Sequence, residues 1–268
     1  MDWSCLTKLN GFSLDIASFL AHASSDSYFD MDRKSHLEER WNCQVRLVDV
    51  NESQAMVFDG PSLVISFRGT EPTEIRDWLS DLNVLKTSWK NSLSVHSGFL
   101  DAYLSVRNKV LAECANAQGR DIFLCGHSLG GEIADLAAID LESLGMHPRR
   151  IYTFGAPRAL GSFSARKARN VFQGRKFRVV NGNDIVPRVP ICLRFQHFGT
   201  LAYINRFLSP GSEQDDVKAD IEINPGLAYL LYDRILGYRA DMLSSHSMSN
   251  YIQGIENAKT NRVLRADF

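Results

Sequence analysis

Residues 121–145 pass from an unbroken apolar run to a helical stripe. Ile122-Phe-Leu-Cys125 is short and wholly apolar, the pattern of a strand buried on both faces. Ile133, Leu136, Ala137, Leu141 and Leu144 then recur at helical spacing. Glu132, Asp135 and Glu142 fall outside that stripe, and Gly145 and Pro148 end it. The same alternation extends along the chain. Residues 13–24 read as a first helix, and residues 26–40 as a polar connection with room for a second helix. Residues 45–50 and 54–58 alternate on either side of Asn51-Glu-Ser53, which predicts an antiparallel hairpin at a sheet edge. Residues 63–67 form a more buried strand. Ile75, Trp78, Leu79 and Leu82 share one face of a short helix, and Phe99, Tyr103, Val106, Val110 and Cys114 stripe a longer one. Beyond Gly145, strands at 151–154 and 177–180 flank a helix near 163–172. Strands alternating with helices predict an α/β chain with a mostly parallel central sheet and helices on both faces. A length of 268 residues suits one domain with an ample core.

Between the buried strand and the striped helix sits Gly126-His-Ser-Leu-Gly130, which fits G-x-S-x-G. A serine on a very tight strand-to-helix turn stands clear of the backbone, and its flanking glycines avoid collision with strand and helix. The helix N-terminus behind it directs N–H groups at an oxyanion forming beside Ser128. The bland alternative is a glycine-rich turn that only packs helix on sheet. His127 is not expected to be the base, because adjacent side chains on such a turn point apart.

A serine hydroxyl needs an imidazole to take its proton, and the imidazole needs an acid to fix its tautomer. In α/β-hydrolases these follow in the order Ser, acid, His, each on a loop after a strand. Asp184 meets the acid's requirement in the turn Asn181-Gly-Asn-Asp184; otherwise it caps that turn through backbone amides. His197 and His246 lie beyond it. His197 sits between Phe195 and Phe198, which suits a core or loop-fixing role. His246 lies in the polar stretch Ser244-Ser-His-Ser-Met-Ser-Asn-Tyr251, and topology favours it as the base.

Composition narrows the function classes. A net charge of −1 gives no general attraction for nucleic acid, and no such partner is expected. Five cysteines (Cys5, Cys43, Cys114, Cys125, Cys192) are an odd number without metal-ligand spacing; Cys114 and Cys125 read as core residues. No disulfide framework is predicted, which favours a reducing, cytoplasmic compartment. Phe12 to Leu20 is fairly apolar ahead of Ala21-His22-Ala23, but Asp15 interrupts it and Asp2 faces a single Lys8. A first helix is therefore the expected reading, and export would proceed without a recognisable signal peptide. No run approaches the ~20 apolar residues of a membrane span. Arg166, Lys167, Arg169, Arg175, Lys176 and Arg178 form a basic cluster, read as a solvated helix face with anionic lipid as the alternative.

Six stretches in order then resemble a known family, the fungal-type, class 3 triacylglycerol lipases. They are Val64-Ile-Ser-Phe-Arg-Gly-Thr70, Ile75-Arg-Asp-Trp-Leu-Ser-Asp-Leu82, Val95-His-Ser-Gly-Phe99, Gly126-His-Ser-Leu-Gly-Gly131, Tyr152-Thr-Phe-Gly-Ala-Pro-Arg158 and Asn183-Asp-Ile-Val-Pro-Arg188. A weaker match returns around His246–Tyr251. The resemblance implies an α/β-hydrolase-like fold and a serine esterase acting on lipid esters. Ser128 matches the family nucleophile, Asp184 the acid and His246 the base. Thr70 matches the oxyanion-hole residue, and Leu129 supplies the second N–H. Residues 72–83 look like a lid helix over the acyl pocket, with Ile75, Trp78, Leu79 and Leu82 as its apolar face. Residues 206–243, rich in Leu and Tyr, read as an inserted helical segment. No metal or organic cofactor is implied. The expected partner is a lipid ester at a lipid–water interface, with transient contact to a lipid surface. The alternative enzymes are a phospholipase A1 and a soluble short-chain or feruloyl esterase. A non-catalytic lipid-binding module is the alternative from another class.

Overall fold

Eight strands form the central sheet of the described residues, in the order β1-β2-β3-β6-β7-β9-β11-β12. The structure, a computed structural model, describes residues 1–7, 11–50, 53–71, 74–81, 85–90, 92–182, 184–190, 194–208, 217–224 and 244–266. The strands are β1 (Gln44–Val50), β2 (Ser53–Asp59), β3 (Leu63–Phe67), β6 (Ile122–His127), β7 (Arg150–Phe154), β9 (Lys176–Asn181), β11 (Thr200–Leu208) and β12 (Val217–Ile223). From β3 to β11 neighbours run parallel, with Val64 opposite Phe123 and Cys125 opposite Tyr152. The edges β1-β2-β3 and β11-β12 are antiparallel, and the first is the hairpin that the alternation predicts. A second sheet is small and antiparallel, ordered β10-β8-β5-β4: β4 (Lys86–Trp89), β5 (Leu93–His96), β8 (Leu160–Gly161) and β10 (Phe195–Gln196).

The pleat divides the core in two. Leu63, Ile65, Phe67, Ile122 and Leu124 point to one side, while Val64, Phe123 and Cys125 point to the other. On the first side pack α4 (Ser97–Ala115), through Phe99, Tyr103, Val106 and Val110, and α5 (Leu129–Ser143). On the second lie α1 (Leu14–Asp26), α2 (Lys34–Trp41) and α7 (Met248–Ala266), with Phe19, Trp41, Tyr251 and Ile255 in that layer. Ser13 caps α1 by accepting the N–H of Ile16 at 3.3 Å. Two further α-helices among the described residues are α3 (Ile75–Asp81) and α6 (Ser162–Val171).

The expected helical segment at 206–243 differs where the structure describes it. Residues 206–208 and 217–223 belong to β11 and β12, whose pairing runs from Ala202 opposite Ile223 to Leu208 opposite Val217. Residues 209–216 and 225–243 lie outside the described residues, as do Pro72, Leu82 and Asn83 of the expected lid. Among the described residues no helix is long and apolar enough to cross a membrane.

Candidate active site

Strand β6 ends in a turn so sharp that Ser128 adopts φ 56 and ψ −130. For a residue with a side chain that conformation costs roughly 1–3 kcal/mol, so the surroundings must hold it. They do: the Ser128 N–H donates to the Phe154 carbonyl at 2.9 Å, and the Gly131 N–H donates to the Ser128 carbonyl at 3.0 Å. Gly130 packs so closely that any Cβ there would run into the backbone of Phe67. Ser128 thus sits at the C-terminal edge of the parallel strands, at the head of α5.

Asp184 follows β9 and divides its carboxylate between two tasks. Oδ1 accepts the Val186 N–H at 2.9 Å, the turn-capping role. Oδ2 accepts from His246 Nδ1 at 2.8 Å and from the Tyr251 hydroxyl at 2.6 Å. A carboxylate only accepts, so the proton between them sits on Nδ1, and Nε2 of a neutral His246 is left as an acceptor. Tyr251, one turn into α7, in turn accepts the Asn181 N–H at 3.1 Å, while Asn181 Nδ2 donates to the Ser245 carbonyl at 2.7 Å. β9 and the start of α7 are thereby tied together around the pair. Gly155, at φ +61, leaves room for it: a Cβ there would stand 2.8 Å from Asp184 Oδ2 and 2.9 Å from His246 Nδ1.

His127 has both ring nitrogens engaged away from Ser128 and supports the neighbouring imidazole. Its Nε2 donates to the His246 carbonyl at 2.6 Å, and its Nδ1 accepts from the Tyr28 hydroxyl at 2.9 Å. The two imidazoles lie 4.4 Å apart. Burial, reinforced by His246, holds the His127 pKa well below 6.5 and so keeps the ring neutral, while burial raises the Tyr28 phenol and keeps it a donor. Sequence reasoning missed Tyr28, Asn181 and this use of His127.

Ser128 Oγ and His246 Nε2 are both buried, and neither has a hydrogen-bond partner among the described residues. The site is closed. A cavity of about 1270 Å³ adjoins it, lined by Gly69, Thr70, Leu129, Trp78, His96 and Phe99 among others. Thr70 and Leu129 therefore face one space, although Ser128 does not line it. Leu129 opens α5, so its N–H is one of those left without an intrahelical acceptor. On α3, Ile75 is buried and the Trp78 ring stacks on Phe99 with centroids 6.2 Å apart. Leu79 belongs to the same helix.

Three polar expectations resolve in unequal ways. Glu132 and Asp135, off the helical stripe, do not face solvent; both are buried, and Asp135 pairs with the equally buried Lys176 at 2.7 Å. The basic cluster is accordingly not one surface. Lys176 belongs to the interior and Arg175 pairs with Glu142 at 2.9 Å, leaving Arg166, Lys167 and Arg169 on the exposed side of α6. His197 takes the loop-fixing role, its Nε2 donating to the Pro187 carbonyl at 2.8 Å behind the Asp184 turn.

The family model described as Lipase (class 3) matches residues 64–194, the stretch that carries β3, α3, the Ser128 turn and Asp184. Over that stretch the chain matches the class 3 lipase family. A lipase of Rhizomucor miehei is 34% identical over 164 residues, covering 56% of this chain and 44% of that protein. A secreted mono- and diacylglycerol lipase of Fusarium solani is 28% identical over 176 residues, covering 63% and 51%. The chain thus spans about half the length of these curated relatives. Among solved structures, a mutant of MDLA from Penicillium cyclopium superposes with a TM-score of 0.69 at 20% identity, covering 95% of this chain and 99% of that one. The chain has the α/β-hydrolase fold that the resemblance implies, with the mostly parallel sheet expected from its alternating elements.

Proposed function

We propose that this chain is a serine hydrolase that cleaves carboxylic esters of lipids through an acyl-enzyme. The observation that carries the reading is the buried Asp184–His246 pair, which leaves Nε2 without a hydrogen-bond partner among the described residues, together with a buried serine held at positive φ. His246 Nε2 takes the Ser128 proton as Oγ attacks the ester carbonyl. The N–H groups of Thr70 and Leu129 stabilise the oxyanion of the tetrahedral intermediate. Its collapse breaks the bond to the alcohol, which leaves with the proton from His246. Water then attacks the acyl-enzyme with His246 again as base, and the fatty acid departs.

The lid reading belongs to α3. In the closed form Ile75 is buried and Trp78 is half-buried, its ring stacked on Phe99 of α4. Burial of apolar area stabilises that form by roughly 25 cal/mol for each Å², and a lipid surface removes the cost of exposing it. A substrate presented in a lipid phase is therefore the one that opens the site.

One of the related proteins bears on substrate and location. The Fusarium solani protein is named a mono- and diacylglycerol lipase and is secreted, which favours the exported over the cytoplasmic expectation. The deciding experiment compares fatty-acid release from emulsified tri-, di- and monoglyceride, phosphatidylcholine and a soluble short-chain ester. Glyceride cleavage should dominate. Ser128→Ala should fold normally and lose at least ~10³-fold in turnover, and a phosphonate ester should attach to Ser128 alone. Labelling at another serine overturns the assignment.

A further inference from the structure

The small sheet and α6 present a face that the catalytic reading leaves unused. Phe163 is 65% exposed and Leu85 58%, the two most exposed large hydrophobic side chains among the described residues. Both lie toward the catalytic edge. β7 gives its last carbonyl, that of Phe154, to the Ser128 N–H, and only residues 155–161 separate it from α6, whose first turn carries Phe163. The Leu85 carbonyl accepts the Ser97 N–H at 3.0 Å, and Ser97 lines the cavity beside α3. The His96 N–H donates to the Ala159 carbonyl at 2.8 Å, joining β5 to the stretch that leads into α6.

The charge on this face is one-sided. The sequence holds no Asp or Glu between Glu142 and Asp184, and none between Asp81 and Asp101. β4, β5, β8, β10 and α6 therefore carry no carboxylate, in a chain whose 31 acidic residues match 30 basic ones. α6 buries Ser164, Ala165 and Ala168 and turns Phe163, Arg166, Lys167 and Arg169 outward. Lys167 Nζ lies over the Phe163 ring, 5.2 Å from its centroid. Among the described residues no carboxylate pairs with Lys86, Arg166 or Lys167. The acids near the site, Glu71, Glu74, Asp77 and Asp101, line the cavity instead. Exposed aromatic and aliphatic side chains among unneutralised cations match a surface that is apolar below and anionic above.

We propose that this face docks on a lipid surface carrying anionic headgroups. Phe163 and Leu85 enter the interface, Lys86, Arg166 and Lys167 meet headgroup phosphates, and the lid side of the molecule is brought to the same surface. The proposal rests on the lipid-ester reading for its purpose but fails separately from it. Its test is co-sedimentation of the full chain with phosphatidylcholine vesicles, with and without phosphatidylglycerol. The native chain should bind the anionic vesicles about ten-fold more tightly, and added salt should remove the preference. The pair Arg166→Glu and Lys167→Glu should abolish the preference, and Phe163→Ser should weaken binding to both vesicle types. Turnover of the soluble short-chain ester should be unchanged in each variant, whereas loss of the catalytic reading shows only in Ser128→Ala. Variants that bind vesicles as the native chain does overturn the proposal. So does a Phe163→Ser variant that turns a dimer into a monomer without altering vesicle binding, which would assign the face to a second copy.

Discussion

Tyr251 shows how much besides its two members holds the Asp184–His246 pair. Its hydroxyl donates to Asp184 Oδ2 and accepts from the Asn181 amide, so it joins α7 to the acid's strand through one oxygen. Tyr251→Phe keeps the ring in its core position and removes both bonds. A buried N–H then loses its acceptor, and the carboxylate loses a donor. Stability should fall by about 1–3 kcal/mol in urea unfolding, and kcat for a soluble ester by about ten-fold through a misplaced base, with KM little changed. A variant unmoved in both measurements refutes the positioning role. Ser128 and Asp184 were legible in the sequence because each is set by local backbone, a strained turn and a post-strand loop. Tyr28, Asn181 and His127 were not, since their partners come from distant parts of the chain and no short motif records those contacts.

At the scale of elements, α5 explains both a success and a failure of pattern reading. Its apolar stripe correctly identified the helix behind the serine. The stripe left Glu132 and Asp135 outside it, yet every position from Gly130 to Leu141 is buried. A helix covered on all sides has no polar face, so its carboxylates need a cation, and Lys176 of β9 supplies one that also donates to Thr153 Oγ1 at 2.5 Å. Lys176→Met should cost about 3–5 kcal/mol by leaving acids uncompensated in the interior, and adding Asp135→Leu should recover part of it. Equal losses in the single and double variants would show that the pair does not act together. The small sheet escaped prediction for a different reason: β8 and β10 are two residues each, too short for any periodicity. α3 was legible from Ile75 and Trp78, and its proposed motion has its own check. Activity on a partly soluble ester should jump as substrate passes its solubility limit, and Trp78 fluorescence should shift on adding vesicles. Smooth saturation, with Trp78→Ser destabilising the fold but leaving the lipid response intact, makes α3 an ordinary surface helix.

For the whole molecule, two imidazoles couple the catalytic edge to pH. His127 holds the His246 carbonyl and His197 holds the Pro187 carbonyl, so they brace the His246 loop and the Asp184 loop respectively. Both pKa values are held well below 6.5, His127 by burial and then His246, His197 by burial and then Arg178. Below pH 6.5 the unfolded chain therefore binds protons that the folded chain refuses. Their contribution is fully present above that pH and is lost as pH falls toward the folded pKa values. Glu132 and Asp135 act in the opposite sense: burial raises them, so the fold takes up protons before the unfolded chain does and gains stability on acidification. The net slope of the native chain is a difference of the two effects, and one variant separates them. His197→Gln keeps an N–H for the Pro187 carbonyl but cannot titrate. Between about pH 7 and pH 5 its Tm should fall less than that of the native chain, by about 2–4 °C for each kcal/mol of linkage removed. Coincident slopes would mean that His197 takes up its proton in the folded state as readily as in the unfolded chain, and that the pH dependence of the acid's loop lies elsewhere.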